Sequence, residues 1–171
     1  DNLYPQNFYN KKFLKNGAAV GGISILKSTH HGNGFQLYKE EEDETTGEII
    51  TKNQVLSKYP DIKLFVRENK LSKYWFEKIT DQSLFQIAFT EHVLSANQDK
   101  IIRVKRQKAA HCRFAKMDKD GKIPFVLINT DWSIASKEYS VPIAFMDGDM
   151  TATEIKEYCK AKKIYNFITA T

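Results

Sequence analysis

The sequence predicts an α+β protein in which helices pack on an antiparallel β-meander, and three observations predict it. Residues 6–31 and 53–85 carry apolar side chains at helical spacing. From 86 to 145 the period shortens to that of strands, in four segments rich in β-branched and aromatic residues. Asp120-Gly121, between the last two segments, is a strong hairpin turn. Helices followed by a run of strands mark α+β rather than alternating α/β architecture. The division falls near residue 85, giving a helical region over 1–85 with an acidic hairpin near 35–51. The sheet region with its C-terminal helix occupies 86–171, and the two form one compact unit.

In chain order, Phe8, Phe13, Leu14, Ala18, Val20, Ile23, Ile25 and Leu26 give the first helical rhythm, which Gly17 and Gly21-Gly22 interrupt. Two helices, or one broken near Asn16-Gly17, are expected. Gly32 and Gly34 stop the helix, and Phe35, Leu37 and Tyr38 start a strand. The run Glu40-Glu41-Glu42-Asp43-Glu44, followed by Thr46-Gly47 and an extended Glu48–Thr51, reads as a hairpin with a charged, solvated tip. Asp61 after Pro60 is expected to cap a helix carrying Ile62, Leu64, Phe65 and Val66. Ser72 is expected to cap another carrying Tyr74, Trp75, Phe76 and Ile79.

The strand segments are "IAFTEHVLS", "KIIRVKRQ", "AHCRFAKM" and "KIPFVLIN", and consecutive strands at this spacing favour a meander. "YSVPIAFM" is expected as an edge strand, where Pro142 can turn its missing donor to solvent. Thr151 or Thr153 caps a helix with Ile155, Tyr158, Cys159 and Lys162 on one face. "IYNFITAT" is extended, and its Ile164, Phe167 and Ile168 call for a partner that is expected beyond Thr171.

A chain of 171 residues with 42% hydrophobic content fills one core without staples. Cys112 and Cys159 fit no paired metal spacing and read as free thiols of a reducing compartment. No apolar run reaches the ~20 residues of a membrane span, so no membrane partner is expected. The net charge of +5 favours a polyanion only to the extent that it is localised.

Most catalytic chemistry is excluded by spacing. His30, His31, His92 and His111 match no compact zinc pattern, and adjacent residues on a helix or strand point apart, so no metal or other cofactor is expected. Aligning Gly121 to the calcium-loop turn places Lys116 at the first ligand position and Leu127 where a bidentate Glu is needed. "MDGDMTATE" lacks a correctly placed Gly. No phosphate loop, nucleophile elbow or dinucleotide fingerprint occurs. Cys112 beside His111 is the remaining enzyme candidate, but on a strand His111 faces away from it. A non-enzymatic protein is therefore expected.

The charge feature with shape is the acid-free stretch 100–117. It supplies Lys100, Arg103, Lys105, Arg106, Lys108, Arg113 and Lys116 as candidate contacts for nucleic acid or for other subunits. On a strand, Arg103 and Lys105 share one face and Arg106 and Lys108 the other, so both faces are expected to be basic.

Three signatures follow in order: "DNLYPQ" at 1–6, "GNGF" at 32–35 after a helix, and "HCRFAKMDKDGKI" at 111–123 leading to "NTDW" at 129–132. The ordered set resembles the N-terminal part of portal proteins from tailed phages and prophages of Bacteroidetes-type bacteria. The resemblance covers residues 1 to about 145. It implies a structural subunit of a homo-oligomeric ring, usually of about twelve copies. Such a ring sits at a capsid vertex, and double-stranded DNA passes through it. Its implied partners are capsid and terminase proteins, with the terminase supplying catalysis. Its implied setting is the virion, and the bacterial cytoplasm during assembly. Two segments depart from the family pattern: "EEEDETTGE" is longer than the pattern needs, and "YCKAKKIYNFITAT" corresponds to none of it. The rival reading is a stand-alone nucleic-acid-binding module of a mobile element, using 100–116 as its phosphate surface. A Cys112-dependent enzyme ranks third.

Overall fold

A computed structural model describes residues 3–32, 34–42, 49–134 and 139–171. A short α1 (Tyr4–Asn7) runs into a π-helical turn at Phe8–Phe13. The break expected near Asn16 is present, because Asn16 caps α2 (Gly17–His31) by accepting the Ala19 N–H at 3.1 Å. Gly21 and Gly22 stay inside that helix. Gly32 ends it at φ +49° and Gly34 turns the chain at φ +83°, values that glycine adopts without strain.

The expected acidic hairpin follows as β1 (Leu37–Glu42) paired antiparallel with β2 (Ile49–Gln54). Its charged tip, 43–48, lies outside the described residues. Next come α3 (Pro60–Glu68) and α4 (Leu71–Phe85). Neither expected cap is used. Tyr59 occupies the N-cap of α3 with Pro60 at the first position, which puts Asp61 in the first turn. Lys70, in left-handed conformation at φ 47°, precedes α4 and leaves Ser72 inside the helix. Proline at the start needs no donor, so α3 begins one residue early.

The second sheet contains β3 (Phe89–Leu94), β4 (Ile101–Gln107), β5 (Cys112–Phe114), β6 (Phe125–Ile128), β7 (Val141–Phe145) and β8 (Asn166–Ala170). α5 (Ala152–Lys162) lies between β7 and β8 in sequence. The α+β class stands, but the continuous meander does not. The strand order is β4-β3-β8-β7-β6-β5, with β8 parallel to β7 and antiparallel to β3. The meander is thus divided into a β3–β4 hairpin and a β5–β6–β7 unit. Asp120-Gly121 does join β5 to β6, with Gly121 at φ +74°. Between β4 and β5 no such turn exists, and the two strands form opposite edges.

Two further expectations are corrected by β8. First, β7 is an internal strand. Pro142 is nonetheless tolerated, because β8 pairs only with Ala144 and Phe145, leaving the Pro142 stretch beside β6 alone. Second, Phe167 and Ile168 find their partners within the chain, 3% and 0% exposed at the middle of the sheet. A parallel neighbour requires a crossover, and α5 supplies it. Thr151 caps that helix through a reciprocal box with Glu154.

Chain length forces the sheet to curl. Five residue steps from Gln107 to Cys112 span at most about 18 Å. Six flat strands would separate their edges by about 24 Å. Curling brings the Phe89 and Phe114 rings to 5.2 Å across the concave face. That face buries Phe89, Cys112, Val126, Ile143 and Ile168. The opposite face receives α5, with Leu94, Met146, Cys159 and Phe167 buried together.

The helical region packs on the sheet region at several points. Tyr74 of α4 hydrogen-bonds Thr90 at 2.7 Å. Gln6 donates to the Thr130 carbonyl at 2.5 Å and accepts the Trp132 N–H at 3.0 Å, and Phe8 meets Phe85 edge-on.

Candidate assembly and nucleic-acid interface

The seven basic candidates do not form one patch. Arg103 and Lys105 are exposed on β4, at one edge of the curled sheet, and Lys100 is exposed in the turn just before it. The pairing with β3 slips by one residue between Val93 and Leu94, so Arg103 and Lys105 share one face while Ile101, opposite Leu94, turns to the other, beside Ile155 of α5. Ile101 is 40% exposed, and among the described residues neither Arg103 nor Lys105 has an ion-pair partner.

Arg106 points the other way and is internal. Its side chain is 8% exposed and makes two hydrogen bonds to Asp81 of α4, at 2.6 and 2.7 Å. Burial opposes the Arg106 charge, but the Asp81 hydrogen bonds and its charge outweigh burial and raise the pKa. The second face of β4 is therefore not a basic surface. Asp81 also accepts the Ala109 N–H at 3.1 Å, tying α4 to the segment that links the two sheet edges.

Lys108 is exposed in that linking segment. Arg113, on the far edge strand, lies over the Trp132 ring at 5.0 Å and donates to the carbonyls of Ala110 and Cys112. Burial lowers its pKa. Lys116 is exposed in the β5–β6 loop. Arg103 and Lys105 are thus the candidates brought together on one strand face, while Arg106 and Arg113 serve the fold.

The residues tested for catalysis are apart. His30 Nδ1 lies 2.8 Å from the Leu26 carbonyl, His31 stacks on Phe76, and His92 stacks on Phe167 with Nε2 3.0 Å from the Thr169 hydroxyl. Burial, followed by the charges of Lys108, Arg106 and Arg113, lowers the His111 pKa. Among the described residues no three His, Cys, Asp or Glu side chains converge on a metal position. Burial and the nearby Asp81 push the Cys112 thiol up to about 12, opposite to what a thiolate nucleophile needs. Both cysteines are buried and unpaired. Among the described residues no helix is long and apolar enough to cross a membrane.

A second surface was given no role by the sequence reading, in which the acidic stretch is a hairpin with a charged, solvated tip. The β1–β2 ribbon buries none of its described residues, and Ile49 and Tyr38 are 70% and 51% exposed. Cross-strand register puts Tyr38, Glu40, Glu42, Ile49 and Thr51 on one face. On the other face, Glu41 bridges Lys39 at 2.9 Å and Lys52 at 2.6 Å. Hydrogen bonds from Lys52 and Lys39 hold the Glu41 carboxyl down to about 2. Glu40 and Glu42 have no ion-pair partner among the described residues.

Helix α2 packs against α4, with His31 stacked on Phe76, but none of its fifteen residues is fully buried, and Ile25 and Leu26 are 69% and 42% exposed. Comparison with protein-family models, with curated proteins and with solved structures returns no match.

Proposed function

We propose that this chain is a structural, non-enzymatic part of a portal-type ring subunit from a tailed phage or prophage, acting through assembly around double-stranded DNA. The ordered motif series supplies the family, and the observation that carries the reading is the apolar surface that α2 and the β1–β2 ribbon leave open. Helix α2 leans on α4 along one side and leaves Ile25 and Leu26 exposed, and no described residue of the ribbon is fully buried. A two-stranded ribbon is marginal alone in water, so such a surface fits a protein whose neighbours cover it. Its capsid and terminase partners, and its place in the virion, follow from the same reading.

Produced within its natural reading frame, the protein is expected to form closed rings of one size in negative-stain electron microscopy and native mass spectrometry. A monomer at every concentration overturns the proposal.

The nucleic-acid module is the second reading, favoured by Arg103 and Lys105 on β4 and Lys100 just before it, none of them in an ion pair among the described residues. It requires the 171-residue chain to bind duplex DNA with a log–log salt slope of about −2.7, the value for three phosphate contacts. That corresponds to about a 40-fold loss between 50 and 200 mM salt.

A further inference from the structure

We propose that the cavity between α5 and the β3–β4 hairpin binds a single-chain aliphatic anion, with its tail inside and its charged head on Lys100 and Lys156. The site is independent of the ring reading above.

The cavity follows from the irregularity in β4. Strict alternation would place Ile101 on the face of Arg103 and Lys105. Because the pairing slips between Val93 and Leu94, Ile101 pairs with Leu94 and turns toward α5 instead. There Ile101, Leu94, Ile155 and Phe167 line a cavity of about 350 Å³, a volume within the range of small-molecule sites. Leu94 and Phe167 are buried members of the second core, whereas Ile101 is exposed, so the cavity runs from solvent onto that core. Gln98, the buried polar residue of the lining, donates its amide to the carbonyls of Cys159 at 3.2 Å and Ile164 at 2.6 Å. Its donors are thus taken by the fold, and the depth of the cavity favours an apolar guest.

Charge selects the head group. Asp99, Lys100 and Lys156 are the charged residues of the lining. Asp99 is answered within the fold, accepting from the Ser95 hydroxyl at 2.7 Å and the Asn97 amide at 2.9 Å. Lys100 and Lys156 are exposed and have no ion-pair partner among the described residues. The charge left unanswered is therefore positive. A nucleic-acid phosphate would meet the two lysines but leave the apolar walls in water, and a neutral hydrocarbon would do the reverse. An aliphatic chain ending in an anion satisfies both parts of the site.

The test titrates the 171-residue chain with hexanoate, octanoate and decanoate below micelle formation, followed by calorimetry and amide chemical shifts. Affinity is expected to rise about 4-fold per methylene, with the shifts concentrated at Leu94, Ile101, Ile155 and Phe167. K100E/K156E, at two exposed positions, is expected to bind decanoate about 10-fold more weakly and decyltrimethylammonium more tightly than the wild-type chain. Misfolding does not produce that exchange of preference. Absence of decanoate binding overturns the proposal. Affinity independent of chain length also overturns it, reducing the site to two surface cations. Equal binding of decanoate and decyltrimethylammonium by the wild-type chain, or shifts confined to α2 and the β1–β2 ribbon, means unselective apolar attachment, and the proposal fails. It fails as well if a short peptide ending in leucine binds the cavity more tightly than decanoate, since the occupant is then a protein terminus.

Discussion

Asp81 shows how a single buried carboxylate organises this fold. Only 1% of its side chain is exposed, yet it accepts both Arg106 hydrogen bonds and the Ala109 N–H. Asp81→Ala leaves the Arg106 guanidinium buried without its counter-charge, which costs about 3–5 kcal/mol. Replacing both partners with apolar residues of similar volume is expected to cost less, because no charge is then stranded. Urea denaturation that finds the double variant less stable than Asp81→Ala contradicts this account. His92 gives a second prediction at this scale. Burial, then the Lys78 charge, lowers its pKa against a smaller opposing effect of Glu91. The unfolded chain therefore binds a proton more readily than the folded one. Neutral His92 contributes its full stability above the unfolded value of about 6.5, and the contribution is lost as pH falls toward the folded pKa. His111, lowered chiefly by burial, acts in the same direction. Melting temperature is expected to fall below pH 6.5 or so, and to fall less in a His92→Gln/His111→Gln variant. Equal slopes for both proteins refute the assignment.

At the scale of elements, the legible parts were those with local chemistry. The break near Asn16-Gly17, Gly32 as a stop, Asp120-Gly121 as a hairpin and Thr151 as one of two candidate caps each act within a few residues. Asp61 and Ser72 misled because Pro60 and Lys70 start their helices first. The basic run misled for a different reason: alternation correctly separated Arg103 and Lys105 from Arg106, but only packing reveals that Asp81 waits on the other side. Asn69 was invisible in sequence, since its role depends on α3 lying against β4. Its side chain takes the place of a neighbouring strand at Val104 and Ile102, and an exposed strand edge otherwise invites pairing with other chains. Asn69→Ala is expected to leave the fold intact and to raise strand-mediated association, measured by thioflavin fluorescence and light scattering. Unchanged association means that this edge needs no guard.

For the whole molecule, the decisive element was the one that sequence reasoning left without partners. The segment "NFITAT" gives no sign of where it inserts, because pairing between β8 and β3 joins residues more than seventy positions apart. Its alternation nevertheless serves two cores at once: Phe167 packs with Leu94, Met146 and Cys159, while Ile168 packs with Phe89, Val126 and Ile143. Removing 164–171 therefore opens both faces and separates the β3–β4 hairpin from the β5–β6–β7 unit. The truncated chain is expected to lose its cooperative thermal transition and its near-ultraviolet circular dichroism. A peptide spanning 164–171 is expected to restore both by strand addition, since the edges of β3 and β7 that receive it are then vacant. Replacing the β1–β2 ribbon by a short linker is the contrasting change: it buries no described residue, so the body is expected to melt cooperatively without it. If the truncation melts like the intact chain, or ribbon removal abolishes the transition, stability is not centred on β8, and the division into a self-sufficient body and an assembly arm fails.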